Sequence, residues 1–137
     1  MPGAGTVQIM SANELSHEII KAALKVHSAL GPGLLEKAYR TCLTHELRKM
    51  GFKAAVEVEL PIVYDGMVLE AGFRIDMLVN DLVIVELKAV EEISRVHLAQ
   101  ILSYMKLSKK SLGLIINFNV LHLKDGIKRV VEGTTWK

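Results

Sequence analysis

Phe73-Arg74-Ile75-Asp76-Met77-Leu78-Val79-Asn80-Asp81-Leu82-Val83-Ile84-Val85-Glu86-Leu87-Lys88 decides the fold. Apolar residues alternate with polar ones over 73–79, the two-residue period of a strand. Residues 82–90 are almost all Val, Ile, Leu or Ala, as in a strand covered on both faces at the centre of a sheet. Three residues break the pattern. Asp76 interrupts the first strand, and Glu86 and Lys88 interrupt the second, two apart and so on one face. Ionic groups at mid-sheet are costly unless they have partners or a ligand. Their relative placement depends on register. A two-residue turn pairing Val79 with Leu82 would send the two carboxylates to opposite faces. A three-residue connection, with Val79 opposite Val83, sets Asp76 opposite Glu86 and Arg74 opposite Lys88. The second register is the one expected if these residues form one site.

Outward from this pair, the chain divides readily. Ile19, Ala22, Ala23, Val26 and Leu30 fall at helical spacing, predicting a helix over residues 14–30 with Asn13 as its N-cap. Gly31-Pro32-Gly33 breaks it. Pro32 suits the first turn of a second helix, which reaches about Met50 and stops at Gly51. Val56, Val58 and Leu60 alternate with Glu57 and Glu59 as a strand, and Tyr64-Asp65-Gly66-Met67 signals a hairpin. Ser94 caps a third helix over about 95–109. A buried strand is expected over 112–118, and Asp125-Gly126 turns into a last strand over 127–131. The order α, α, β, β, β, α, β, β implies an α/β architecture, a mixed sheet with helices on its faces.

The whole chain has 137 residues and 15.2 kDa, enough for one domain. Half of it is hydrophobic, which excludes a disordered chain, and aromatics are only 5%, so the core is aliphatic. Seventeen Lys and Arg against fifteen Asp and Glu give a net charge of +2, compatible with a nucleic-acid partner without requiring one. Cys42 is alone and reads as a small buried hydrophobe. A single cysteine suits a reducing, cytoplasmic setting. No apolar run approaches the roughly 20 residues of a membrane span, and no secretory leader is visible. Residues 1–12 read as a flexible tail and 13–137 as the domain. His17, His27, His45 and His122 show no metal-ligand spacing.

Other polar residues lean toward the same region. Glu36 lies on the stripe of Leu43, Leu47 and Met50, and Tyr39 follows it by three. Gln100 and Tyr104 share a face of the third helix with Leu107, and His97 lies close to it. One acid on a strand, followed by Glu-x-Lys on the next, suits a hard divalent cation such as Mg²⁺. The lysine is placed to position a water or to balance charge on a phosphate. These are the parts of metal-assisted phosphodiester hydrolysis.

The segment Gly33-Leu34-Leu35-Glu36-Lys37-Ala38-Tyr39 resembles the signature of the GxxExxY proteins. The likeness continues through Gly72-Phe73-Arg74-Ile75-Asp76, Val85-Glu86-Leu87-Lys88-Ala89-Val90, His97-Leu98-Ala99-Gln100, Tyr104-Met105-Lys106 and Gly113-Leu114-Ile115-Ile116-Asn117-Phe118-Asn119. It ends near Lys124-Asp125-Gly126-Ile127-Lys128-Arg129. The family is similar to a compact branch of the PD-(D/E)XK nucleases, whose restriction-endonuclease-like core is αβββαβ. The resemblance implies that Asp76, Glu86 and the Leu87 carbonyl bind Mg²⁺ or Mn²⁺, with Lys88 as the motif lysine. It implies further that Glu36 assists from an early helix and that Gln100 orients the site, with Tyr39, Arg74, His97 and Tyr104 in support. Ile75, not Pro, precedes Asp76, at a position where that superfamily often lacks the Pro of its name. The implied activity is a metal-dependent nuclease, with DNA as the expected partner and Arg40, Lys106, Lys109 and Lys110 available to phosphates. The alternative is a binding module that keeps the site without turnover. A homodimer would enlarge the surface available to a duplex.

Overall fold

The computed structural model describes residues 10–70 and 73–135. Residues 1–9, most of the expected tail, lie outside the described residues, as does Gly72 of the quoted motif. Helix α1 spans Ala12–Leu30. Its N-cap is Ser11 and not Asn13: the Ser11 hydroxyl accepts from the Glu14 N–H and the Glu14 carboxylate accepts from the Ser11 N–H. This reciprocal pairing satisfies two N–H groups at once, which a lone Asn cap does not. Helix α2, Glu36–Lys49, also begins later than its proline suggested. Gly31 (φ 68°) and Gly33 (φ 101°) adopt left-handed backbone, so Pro32 belongs to the loop.

Strands β1 (Ala54–Glu59), β2 (Ile62–Tyr64), β3 (Met67–Leu69), β4 (Arg74–Val79) and β5 (Val83–Lys88) follow. Then come α3 (Arg95–Ser108), β6 (Leu112–Asn117), a 3-10 turn at Leu123–Gly126 and β7 (Ile127–Val131). The main sheet has the order β1-β4-β5-β6-β7. Strand β5 is therefore central, as its largely apolar run predicted. The pair β5–β6 is parallel and the other pairs antiparallel, and α3 supplies the crossover that a parallel pair requires. The hairpin signal is real, but β2 and β3 form a separate two-stranded ribbon outside the main sheet.

Alternation along β5 sorts the core. Val83, Val85 and Leu87 pack with Leu15, Ile19, Tyr39 and Leu43 of α1 and α2. Ile84 packs on the other face with Ile101, Tyr104 and Met105 of α3. The result is a mixed sheet between helical layers, the restriction-endonuclease-like arrangement. Each fully buried Leu, Ile or Val contributes roughly 1.5–3 kcal/mol relative to exposure. Cys42 is half-buried against the first cluster and not a core residue.

Candidate active site

The register across the β4–β5 turn is the one that Asp76 and Glu86 required. Val79 pairs with Val83, Leu78 with Ile84, and Met77 with Val85. The connection Asn80-Asp81-Leu82 has Asn80 (φ 51°) and Asp81 (φ 55°) in left-handed conformation, which Asn and Asp tolerate best after Gly. The backbone ladder ends at Met77 and Val85. Beyond it the strands part, and side chains take over. The Asp76 N–H donates to Glu86 Oε2 at 2.8 Å, and the Leu87 N–H donates to Asp76 Oδ2 at 2.9 Å. Each carboxylate replaces a missing backbone acceptor, so the fork is closed by the two acids themselves.

Arg74 does not continue the pairing toward Lys88, contrary to the sequence expectation. It lies past the fork, is half exposed, and its guanidinium is 3.9 Å from Glu59 on β1. On its other side β4 meets a second irregularity. The β1–β4 register runs through Val56–Met77 and Val58–Ile75 but skips Glu57, which has φ 49°. Strict alternation would place Ile75 with Met77 and Val79 beside α1 and α2. Ile75 instead joins Ile84 and Ile101 in the cluster beneath α3, and Val58 packs against that cluster too. Both strands thus turn over together next to Asp76.

Residues converge on this opening from both helical layers. Glu36 is the first residue of α2. Its carboxyl is held above the usual range, first by burial and then by the Asp76 charge, with Lys88 and Arg40 opposing. Its position is fixed by Tyr39, which is fully buried and stacks on Phe118 with ring centroids 4.4 Å apart. The Tyr39 hydroxyl donates to the Gly31 carbonyl at 2.6 Å and accepts from the Leu34 N–H at 3.1 Å. Tyr39 therefore ties down the loop that delivers Glu36, and supports the site from the core without entering it. From α3, Gln100 Oε1 accepts from Lys88 Nζ at 3.4 Å. The Tyr104 hydroxyl is raised by burial and by the Glu86 and Asp76 charges, with Gln100 opposing.

His97 has a structural task. Its Nδ1 accepts from the Ser94 N–H at 3.0 Å, completing the cap of α3. Burial and the Lys88 charge hold its pKa below the usual value, which favours the neutral ring that an accepting Nδ1 needs. Lys109 and Lys110 do not approach the site. Lys110 pairs with Asp81 at 3.1 Å, at the turn end of β5, whereas Lys88 is at the other end. Lys106 lines the same remote cavity as these two lysines, some 530 Å³ in volume.

Two residues that the sequence offered only as a phosphate contact and as part of a motif have other tasks. Arg40 stands one helical turn after Glu36, and its guanidinium lies 3.4 Å from Glu57 and 3.9 Å from Asp76 Oδ1. Its spacing from Glu36 was visible, but a lone surface-type Arg gave no reason to prefer Asp76 over a phosphate. Asn117, 2% exposed, was read only as part of a motif. Its amide donates to the Val90 carbonyl at 2.8 Å and accepts from the Val90 N–H at 3.1 Å. It thereby pins the segment that leads from Lys88 to α3.

Glu86 carries the strongest electrostatic strain. It is 4% exposed, and its carboxyl is pushed up to about 8, by burial first and the Asp76 charge second, against the Asp76 N–H and Lys88. A carboxylate pair of this kind is a natural seat for a cation. Asp76 Oδ2 and Glu86 Oε2 are used by the fork, while Oδ1 and Oε1 accept no hydrogen bond among the described residues. No group of three or more His, Cys, Asp or Glu suited to a metal occurs among the described residues. Two carboxylates fit Mg²⁺, which keeps several waters, better than they fit an ion needing a full protein cage. No helix among the described residues is long and apolar enough to cross a membrane.

The chain matches the family model of the PD-(D/E)XK nuclease superfamily over residues 13–130. Searches of curated proteins and of solved structures return no match. The match spans every element from α1 to β7, and with it both arms of the fork that holds Asp76 and Glu86; the chain belongs to the PD-(D/E)XK nuclease superfamily.

Proposed function

We propose that this protein is a divalent-metal-dependent nuclease of the GxxExxY type that hydrolyses phosphodiester bonds of DNA. The observation that carries this reading is the reciprocal pairing of Asp76 and Glu86 at the end of the β4–β5 ladder. It presents two carboxylates side by side with one oxygen of each left over. Asp76, Glu86 and the Leu87 carbonyl would hold Mg²⁺ or Mn²⁺. When bound, such an ion polarises a phosphate and acidifies a water.

The chain's own residues do the rest. Lys88 brings an ammonium group to the same opening, anchored by Gln100, and is placed to orient the attacking water and offset charge on the phosphate. Glu36, raised by burial, is suited to take a proton from that water. Tyr104 and His97 shape the α3 wall, and Tyr39 holds the α2 side. The test is cleavage of supercoiled plasmid, linear duplex and single strands with Mg²⁺, Mn²⁺ or EDTA. Asp76→Asn and Lys88→Ala are run beside the wild type. Cleavage that needs the metal and both residues is expected. A protein that binds DNA but never cuts it would instead be a binding module on a nuclease fold.

A further inference from the structure

Glu57 is a glutamate with φ 49° inside a strand, at the step the β1–β4 register skips between Val56–Met77 and Val58–Ile75, which is also the step at Asp76 on β4. Non-glycine residues held in this region cost on the order of 1–3 kcal/mol, and they persist where the surroundings demand them. What the kink accomplishes here is visible in its side chain, which reaches Arg40 of α2 at 3.4 Å. Arg40 is in turn 3.9 Å from Asp76 Oδ1, the oxygen that the fork leaves over. The Arg40 and Asp76 side chains are each only 18% exposed, so the pair is partly shielded from solvent screening. The contact to Asp76 is long and made by one nitrogen, so it is a weak hold by the standard of a bidentate guanidinium pair.

We propose that Arg40 is a counter-ion that guards Asp76 against the metal until a phosphate group draws it away, so that nucleic acid and metal bind cooperatively. The idea rests on the metal site proposed above. In the free protein the Arg40 charge neutralises Asp76 and repels a divalent cation. The non-bridging oxygens of a phosphodiester match the guanidinium fork better than one distant carboxylate oxygen does. A nucleic-acid backbone entering the opening therefore offers Arg40 a stronger partner and frees Oδ1. Glu57 positions Arg40 throughout: it holds Nη2, limits how firmly the guanidinium settles on Asp76, and keeps it facing the opening. By linkage, whatever the phosphate adds to metal affinity, the metal adds to nucleic-acid affinity.

The experiment uses two arms on the full chain. Mn²⁺ is titrated calorimetrically into wild type, Arg40→Gln, Glu57→Gln and Asp76→Asn without nucleic acid. A fluorescent duplex oligonucleotide is titrated in EDTA, where metal-dependent cleavage is silent, over a range of salt. Arg40→Gln is expected to bind Mn²⁺ several-fold tighter and the duplex several-fold more weakly, with the salt slope reduced by about 1. Glu57→Gln is expected to bind Mn²⁺ several-fold more weakly. Circular dichroism melts verify folding, and a general loss of structure would move both affinities downward together. Unchanged or weaker Mn²⁺ binding in Arg40→Gln, with Asp76→Asn still abolishing it, overturns the guarding role and leaves the metal site intact. Unchanged duplex binding overturns the phosphate half. No Mn²⁺ binding in wild type or Arg40→Gln overturns the metal site and this inference with it.

Discussion

Asp76 and Glu86 each accept a backbone N–H from the other's strand, at 2.9 Å from Leu87 and 2.8 Å from Asp76 itself. The same carboxylates therefore hold the fork together and, in the proposed reaction, would furnish its chemistry. The two tasks separate by substitution. Asp76→Asn keeps an oxygen for the Leu87 N–H and removes the charge, so it should melt within a few degrees of wild type while losing metal binding and cleavage. Asp76→Ala also strands the N–H and should cost about 1–3 kcal/mol in urea denaturation.

The Glu86 carboxyl predicts a specific stability profile. Its folded pKa, about 8, lies above its ordinary value of 4.5, so the folded state holds a proton that the unfolded state has released between these limits. Stability from this group is full below about pH 4.5 and is lost as pH rises through about 8, with a slope approaching ~1.4 kcal/mol per pH unit. Denaturation at successive pH values should show that slope in wild type and not in Glu86→Gln. Saturating Mg²⁺ should flatten it.

Tyr39→Phe keeps the stacking on Phe118 and removes both hydroxyl contacts to the Gly31–Leu34 loop. A loss of roughly 1–2 kcal/mol is expected. Because that loop delivers Glu36, cleavage should fall by more than the melting shift explains, and adding Glu36→Gln to Tyr39→Phe should cost less than it costs wild type.

Asn117→Leu should be more damaging than a surface substitution of equal size. It leaves the half-buried Val90 N–H without its Asn117 partner, at about 1–3 kcal/mol, and leaves the Val90 carbonyl only the 3.5 Å contact from the Asn119 amide. Amide exchange at Val90 should accelerate, and the Lys88–Gln100 contact should loosen with it.

Much of the site was legible in the chain because β5 is so apolar that Glu86 and Lys88 stand out, and because parity alone decides whether Asp76 joins them. The requirement of a three-residue connection followed from that parity, and Val79 does pair with Val83. The break in the ladder was not legible: nothing in the pattern says that side-chain oxygens will replace backbone carbonyls past Met77. Nor was the turnover at Glu57, since glutamate in an alternating strand ordinarily means a solvated face. The start of α2 was misplaced because Pro32 suits a first turn and an ordered loop equally, and the choice depends on Tyr39, eight residues from the Gly31 carbonyl it holds. The basic residues near the end of α3 looked like phosphate ligands by type, but the direction of α3 carries them to the far end of the sheet.

The kink at Glu57 also bears on how the molecule keeps to itself. Strand β1 is an outer strand of the sheet, so one side of it carries unpaired N–H and C=O groups that a neighbouring chain is able to copy. A left-handed residue in its middle bends that row out of line, and the glutamates at 57 and 59 add like charge to any two such rows that meet. At the opposite margin, β7 exposes Lys128 and Arg129, which likewise add like charge to two such edges that meet. Straightening β1 in search of a more regular strand would thus give the sheet a template for stacking on its own copies, and the first sign of a lost Glu57 kink would be aggregation.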